Sequence, residues 1–312
     1  MKWLVLGLAM TACTHQLRDA TPPRDLLFEV WDGRTGQALS MDEVNARLAA
    51  VDVVLVGEEH GQRDFQATEL EVARVAHAVG FTTLAVEWIT WAARDAIAHS
   101  TSATVQHDLD WAHTWGHDFD SYRDIFTWAF AQGVPVVGVN ARPELARALA
   151  KGGRDAVPAE LASELTPLDS GFQAQRTWFW ATMVGAHHPM PADALERYYL
   201  AQLLWDETMA LHIDALADTH KVVAFAGLGH TQRALGIAHR LKHHVLIVRP
   251  VADATEARRF AHDVDYPERD ADLLWRLVPP RNQWVVSASM HPRQRVAVPR
   301  NIYPRSTNTA SR

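Results

Sequence analysis

Val53-Val54-Leu55-Val56 places four apolar residues in a row, three of them valines. Such a run is too short for a helix and suits a strand buried on both faces. The pattern recurs at Thr83-Leu84-Ala85-Val86, Pro135-Val136-Val137-Gly138-Val139, Lys221 to Ala226 and Val245-Leu246-Ile247-Val248. Between these runs the apolar residues shift to helical spacing: Phe65 to Val79 before Gly80, Trp91 to Ala98, Arg123 to Gln132 before Gly133, and Leu235 to Leu241. Ala192 to Thr219 forms one long amphipathic helix, and residues 143–182 read as helical with breaks at Gly152-Gly153, Pro158 and Pro167. Ser40 with Glu43 three residues on is a capping box for a helix that runs to Ala50. Phe28 to Trp31 alternates as a short strand, and Trp284-Val285-Val286 is a candidate last one. Strand–helix–strand alternation predicts an α/β fold with a mostly parallel central sheet flanked by helices, with helical insertions.

Residues 14–27, with Pro22-Pro23, read as a tether. Residues 28–299 form a single domain, with no repeat and no internal linker, and 300–312 form a polar, disordered tail. Hydrophobic residues make up 48% and charged residues 21% of the 312, which is the balance of a globular protein. A net charge of −7 without any basic run excludes a nucleic-acid partner. The only cysteine, Cys13, rules out an internal disulfide. It follows a basic start (Lys2), a brief apolar run (Leu4 to Met10) and the small pair Thr11-Ala12. That run is too short to span a bilayer. Residues 1–13 read as a lipoprotein-type signal, with Cys13 the lipidated residue of an exported protein anchored at the bacterial cell envelope.

Four of the strands end in polar groups: Glu58-Glu59-His60, Glu87, Asn140 with Arg142, and His230. In a parallel sheet these ends share one edge, where ligands of open α/β folds bind. The first and last turns share the spacing Gly-x-x-His, at Gly57 to His60 and Gly227 to His230. Glu59, His60, Glu87 and His230 are therefore the candidate set, either for a divalent metal or for metal-free acid–base activation of water.

The chain resembles the ChaN-like haem-binding lipoproteins of the Tiki superfamily, to which erythromycin-esterase-like hydrolases and Tiki proteases also belong. The resemblance rests on Leu55 to His60, Glu87, Trp115 to Arg123, Val137 to Pro143, Ala201 to Ala210 and Gly227 to His230. It implies a ChaN-like and erythromycin-esterase-like α/β fold and a membrane-anchored protein of iron and haem uptake. It also implies haem as cofactor, a haem-mediated homodimer, a tyrosine on the iron and basic groups on the propionates. Tyrosinate is a hard anionic donor suited to ferric haem. Tyr122 is the first candidate ligand, with Tyr198 and its neighbour Tyr199 as rivals, and His188 of the His187-His188 pair as a further contact. Asn140, Arg142, Gln202 and Glu207 are supporting candidates on matching segments. Gln202 and Asp206 share a helix face at i, i+4. One departure is visible: family members carry a His-His pair and a Gln soon after the first Gly-x-x-His, where this chain has Phe65, Gln66 and Glu69. The wider superfamily implies the alternative of an ester or amide hydrolase using His60, Glu59, Glu87 and His230.

Overall fold

A computed structural model describes residues 27–168, 173–186, 190–262 and 271–278. Cys13 with the signal and tether, His187-His188, Trp284 to Val286 and the tail lie outside the described residues. The strands are β1 (Leu27–Asp32), β2 (Val53–Glu58), β3 (Thr83–Thr90), β4 (Val136–Asn140), β5 (Val222–Gly227), β6 (Val245–Pro250) and β7 (Leu273–Val278). They join in one sheet of order β1-β7-β6-β2-β5-β3-β4. The six strands from β7 to β4 run parallel, and β1 closes one edge antiparallel to β7. β7 is a strand the hydrophobic pattern does not announce, because Arg276 breaks its short apolar run.

Every residue of β2 and of β5 is buried, as the unbroken apolar runs require. Alternation splits β2 between two cores. Val54 and Val56 pack on one face with Leu70, Val72 and Ala73. Val53 and Leu55 pack on the other with Met209, Ala210 and Ile213. Each such side chain contributes roughly 1.5–3 kcal/mol on full burial.

The helices are α1 (Met41–Ala49), α2 (Arg63–Ala78), the short turns α3 (Arg94–Ala98), α4 (Val105–Asp108) and α5 (Trp111–Thr114), then α6 (Arg123–Gln132), α7 (Pro143–Gly152), α8 (Gln173–Ala186), α9 (Ala192–Ala217), α10 (Ile237–Arg240) and α11 (Ala254–His262). The capping box of α1 is formed: Glu43 N–H donates to Ser40 Oγ at 3.3 Å and Ser40 N–H to Glu43 Oε2 at 2.8 Å. α6 ends where Gly133 turns left-handed at φ 68°. Elements α2, α4, α5 and α6 cover the Val54 face. α9, α10 and α11 cover the Val53 face. α7 and α8 pack on the outer side of α9 in a third core around Leu149, Phe179 and Tyr199.

Two details of the sheet position its carboxyl edge. β2 and β5 run in register, so Glu58 stands beside Gly227. β3 is bulged against β4: Val86 pairs with Gly138, yet the next pair is Thr90 with Asn140. Such a bulge redirects side chains at a sheet end, and the residues it displaces include Glu87. Gly138 permits it, since a Cβ there would lie 2.5 Å from the Thr90 carbonyl oxygen.

Candidate functional site

Glu58 is the last residue of β2 and continues the Val54–Val56 face, so its carboxylate enters the domain at 1% exposure. Three N–H groups converge on it: Trp88 Nε1 at 2.9 Å, Gln66 Nε2 at 2.5 Å and His60 Nδ1 at 2.5 Å. The three donors between them satisfy both of its oxygens. The His60 ring is thereby fixed with Nδ1 toward Glu58 and Nε2 toward Glu87, 3.7 Å away.

The second dyad mirrors the first. His230 Nδ1 donates to Asp206 Oδ1 at 2.6 Å, and its Nε2 faces Glu87 Oε1 at 3.6 Å. Asp206 is fully buried on α9 and is also bonded by Gln175 Nε2 at 2.7 Å. The Gln202 amide nitrogen, one helical turn earlier, lies 3.4 Å from both Asp206 oxygens and 3.0 Å from His230 Nδ1. Arg240, 5% exposed, completes this side, 4.0 Å from Asp206 Oδ2 and bonded through Nε to Glu207 at 2.5 Å.

Glu87 stands between the dyads. Its Oε2 accepts the Gly227 N–H at 2.6 Å, which leaves Oε1 facing both imidazoles. Glycine at 227 leaves the His60 ring its place, because a Cβ would lie 2.9 Å from His60 Cε1 and Nε2. Asn140 donates from Nδ2 to the Glu87 carbonyl at 3.1 Å and so ties down the bulge. The order is carboxylate, imidazole, carboxylate, imidazole, carboxylate. The separations of 3.6 and 3.7 Å exceed a hydrogen bond. A polar atom placed among Glu87 Oε1 and the two Nε2 atoms could therefore exchange hydrogen bonds with all three.

Electrostatics favour protonated imidazoles here. Burial opposes charge on His230, but Glu87 and Asp206 outweigh it and raise its pKa to about 9. For His60 burial likewise opposes charge, and the Glu58 hydrogen bond with the Glu87 and Glu58 charges outweighs it, again raising the pKa.

The structure places several of the expected site residues elsewhere. Glu59 is exposed, and the carboxylate of the site is its neighbour Glu58, which strand alternation selects. The expected metal set thereby loses one ligand. Among the described residues no group of three or more His, Cys, Asp or Glu is placed to hold a metal ion. Tyr122 is 0% exposed among Trp88, Trp111 and Phe126, with its hydroxyl accepting the Gly61 N–H at 2.9 Å. Burial and the nearby Glu58 push its pKa up, away from the tyrosinate an iron would need. Arg142 turns outward to Glu164, at 2.7 Å, and Glu207 holds Arg240. Asp206, visible in the sequence only as a helix-face partner of Gln202, is the residue paired with His230.

Tyr199 is sealed at 0%, with its hydroxyl on Gln175 at 3.2 Å and its pKa raised by burial to about 12. Tyr198 differs: it is 43% exposed on α9. Tyr198, Gln202 and Asp206 follow at i, i+4 and i+8, a stripe that runs from solvent into the site. Aromatic rings flank the two imidazoles. Trp115 meets His60 edge-on at 4.7 Å with His117 5.6 Å from the same ring, and Trp205 lies 6.1 Å from His230. Trp178 approaches the exposed backbone of Gly229.

Comparison with known proteins agrees with this architecture. The family described as haem-binding uptake, Tiki superfamily, ChaN matches residues 44–241. The solved structure of ChaN from Campylobacter jejuni, described as showing cofacial haem binding, superposes with a TM-score of 0.61 at 16% identity, covering 80% of this chain and 97% of that one. The type III effector HopBA1 follows with a TM-score of 0.42 at 14% identity over 81% of this chain and 97% of that one. An effector domain of a Vibrio vulnificus toxin gives 0.40 at 17% identity over 75% and 42%. No curated protein sequence matches the chain.

Proposed function

The chain belongs to the ChaN-type haem-binding uptake family of the Tiki superfamily, and from that membership we propose that it binds ferric haem through Tyr198 as a lipid-anchored protein of iron uptake. The observation that carries the choice of ligand is exposure. Of the tyrosines on the described residues, Tyr122 and Tyr199 are at 0% and Tyr198 is at 43%. A phenolate oxygen reaches iron only from such a position, and it suits the ferric state. The residues present fit the group. An accessible oxygen donor stands on a rigid helix, Trp115, Trp178 and Trp205 line the neighbouring sheet edge with rings of the kind that stack on flat ligands, and Arg197, one residue before Tyr198 and now paired with Asp193 at 2.7 Å, is a cation for a propionate. In the Campylobacter protein the haem is cofacial. A pair of these chains, each presenting Tyr198, would bring two haems face to face in the same manner. Anchoring rests on Cys13 and its signal, and among the described residues no helix is long and apolar enough to cross a membrane.

The test is a hemin titration of the purified chain in detergent. A saturable tyrosinate-type spectrum is expected, lost in Tyr198→Phe and kept in Tyr122→Phe. Retention of the spectrum in Tyr198→Phe would remove Tyr198 as the ligand.

A second reading is favoured by one observation, the pair of carboxylate–imidazole dyads facing Glu87. In that reading the site hydrolyses an ester or amide without metal, with Glu87 taking the proton of an attacking water and the imidazolium of His60 or His230 giving one to the leaving group. An ester and amide panel compares the wild type with His60→Ala and His230→Ala; equal rates in all three would exclude it.

A further inference from the structure

Behind the site, on α2, Glu69 is fully buried. Both of its carboxyl oxygens lack a hydrogen-bond donor, and so does the buried Oε1 of Gln66. The two residues are at i and i+3 of one helix and share a face. The Gln66 amide cannot be turned around to help, because its Nε2 already donates to Glu58 at 2.5 Å. An ionised carboxylate sealed without donors would be strongly disfavoured. We propose that Glu69 is a positioning residue of the sheet-edge site, held in the core as the neutral acid, whose single proton supplies a donor to one of the acceptors behind His60, Glu58 or the otherwise unbonded Gln66 Oε1. The inference is independent of the ligand, since it concerns the rear of the site.

The charge count points the same way. Glu58, Glu87 and Asp206 are three carboxylates around two imidazoles, His60 and His230, and the nearby Arg240 is shared between Asp206 and Glu207. A further anion would stand uncompensated. The groups whose charges bear on Glu69 are Glu58 at the end of β2 and Glu87 on β3; Tyr122, before α6, feels Glu69 in turn. All three are acidic. Burial first, and then Glu58 and Glu87, raise the Glu69 pKa well above that of an ordinary glutamate. Held neutral, Glu69 leaves Glu58 as the one negative charge behind His60. The Nδ1 hydrogen stays on the Glu58 side, and Nε2 faces Glu87.

The proposal has a spectroscopic signature that needs no ligand. Infrared spectra of the full chain at neutral pH should contain a protonated-carboxyl C=O band that disappears in Glu69→Gln. Absence of the band from the wild type, or its survival in Glu69→Gln, would overturn the assignment. The positioning role is read from the His60 ring by NMR titration. Glu69→Gln keeps a neutral donor and should keep the wild-type midpoint. Glu69→Leu removes the donor and should shift it. The role is refuted if Gln and Leu shift the midpoint equally, or if neither does. Because the band is measured in the wild type as well, the assignment can fail even if a variant does not fold.

Discussion

His230 Nδ1 lies 2.6 Å from Asp206 Oδ1, with the Asp206 side chain wholly removed from solvent and that of His230 11% exposed. A short, buried contact of this kind commits both partners, since breaking it takes from each its shortest contact in the core. Asp206→Asn should lower the His230 midpoint from about 9 toward the ordinary 6.5. It should also destabilise the fold by about 3 kcal/mol, the scale for removing one member of a buried pair. Ring-proton NMR across pH gives the first number and chemical denaturation the second.

Stability should fall on the alkaline side. The folded pKa of His230 is raised above its unfolded value, so its contribution is fully present below about 6.5 and is lost as pH rises through about 9. The separation of those values corresponds to roughly 3 kcal/mol. His60 and Glu69 shift in the same direction and add to the effect. Denaturant midpoints measured from pH 6 to pH 10 should decline, and the decline should be shallower in Asp206→Asn.

Gly227→Ala places a methyl 2.9 Å from the His60 ring at the point where the backbone N–H holds Glu87. Overpacking costs of order 1–3 kcal/mol, and here the soft element is His60. The variant should stay folded, and the Trp115-shifted ring protons of His60 should move. An unchanged His60 spectrum would mean that the ring does not occupy this place.

Tyr122→Phe removes a buried hydroxyl and strands the Gly61 N–H, at a cost of about 1–3 kcal/mol. A lower melting temperature with an unaltered haem spectrum is the expected pair of results.

Much of the sheet edge is legible in the amino-acid pattern alone. The apolar runs at 53–56, 83–86 and 221–226 are strands because nothing else buries four consecutive apolar residues so cheaply. Once they are parallel, His60, Glu87 and His230 must meet. The choice of Glu58 over Glu59 is implicit there too, since the two-residue period running through Val54 and Val56 lands on Glu58. Asp206 at i+4 from Gln202 is visible as a face, but its partner His230 lies 24 residues away on another element, and only the tertiary fold joins them. The tyrosines show the limit most clearly. Tyr122 and Tyr198 are chemically identical, and what separates them is a wall of Trp88, Trp111 and Phe126 assembled from three segments. No local pattern reports such a wall. β7 escapes for a related reason: three apolar residues, Leu273 to Trp275, become a strand through the edge that β6 offers them.

The length of α9 has a consequence of its own. Tyr198 and Asp206 lie on one unbroken helix of 26 residues. Eight residues at the helical rise set their backbones about 12 Å apart, and no hinge intervenes. The helix is therefore a ruler. A ligand held at Tyr198 would meet the imidazole edge only if its own span matched that interval, so on the proposed reading the spacing of two residues sets the reach that a ligand needs.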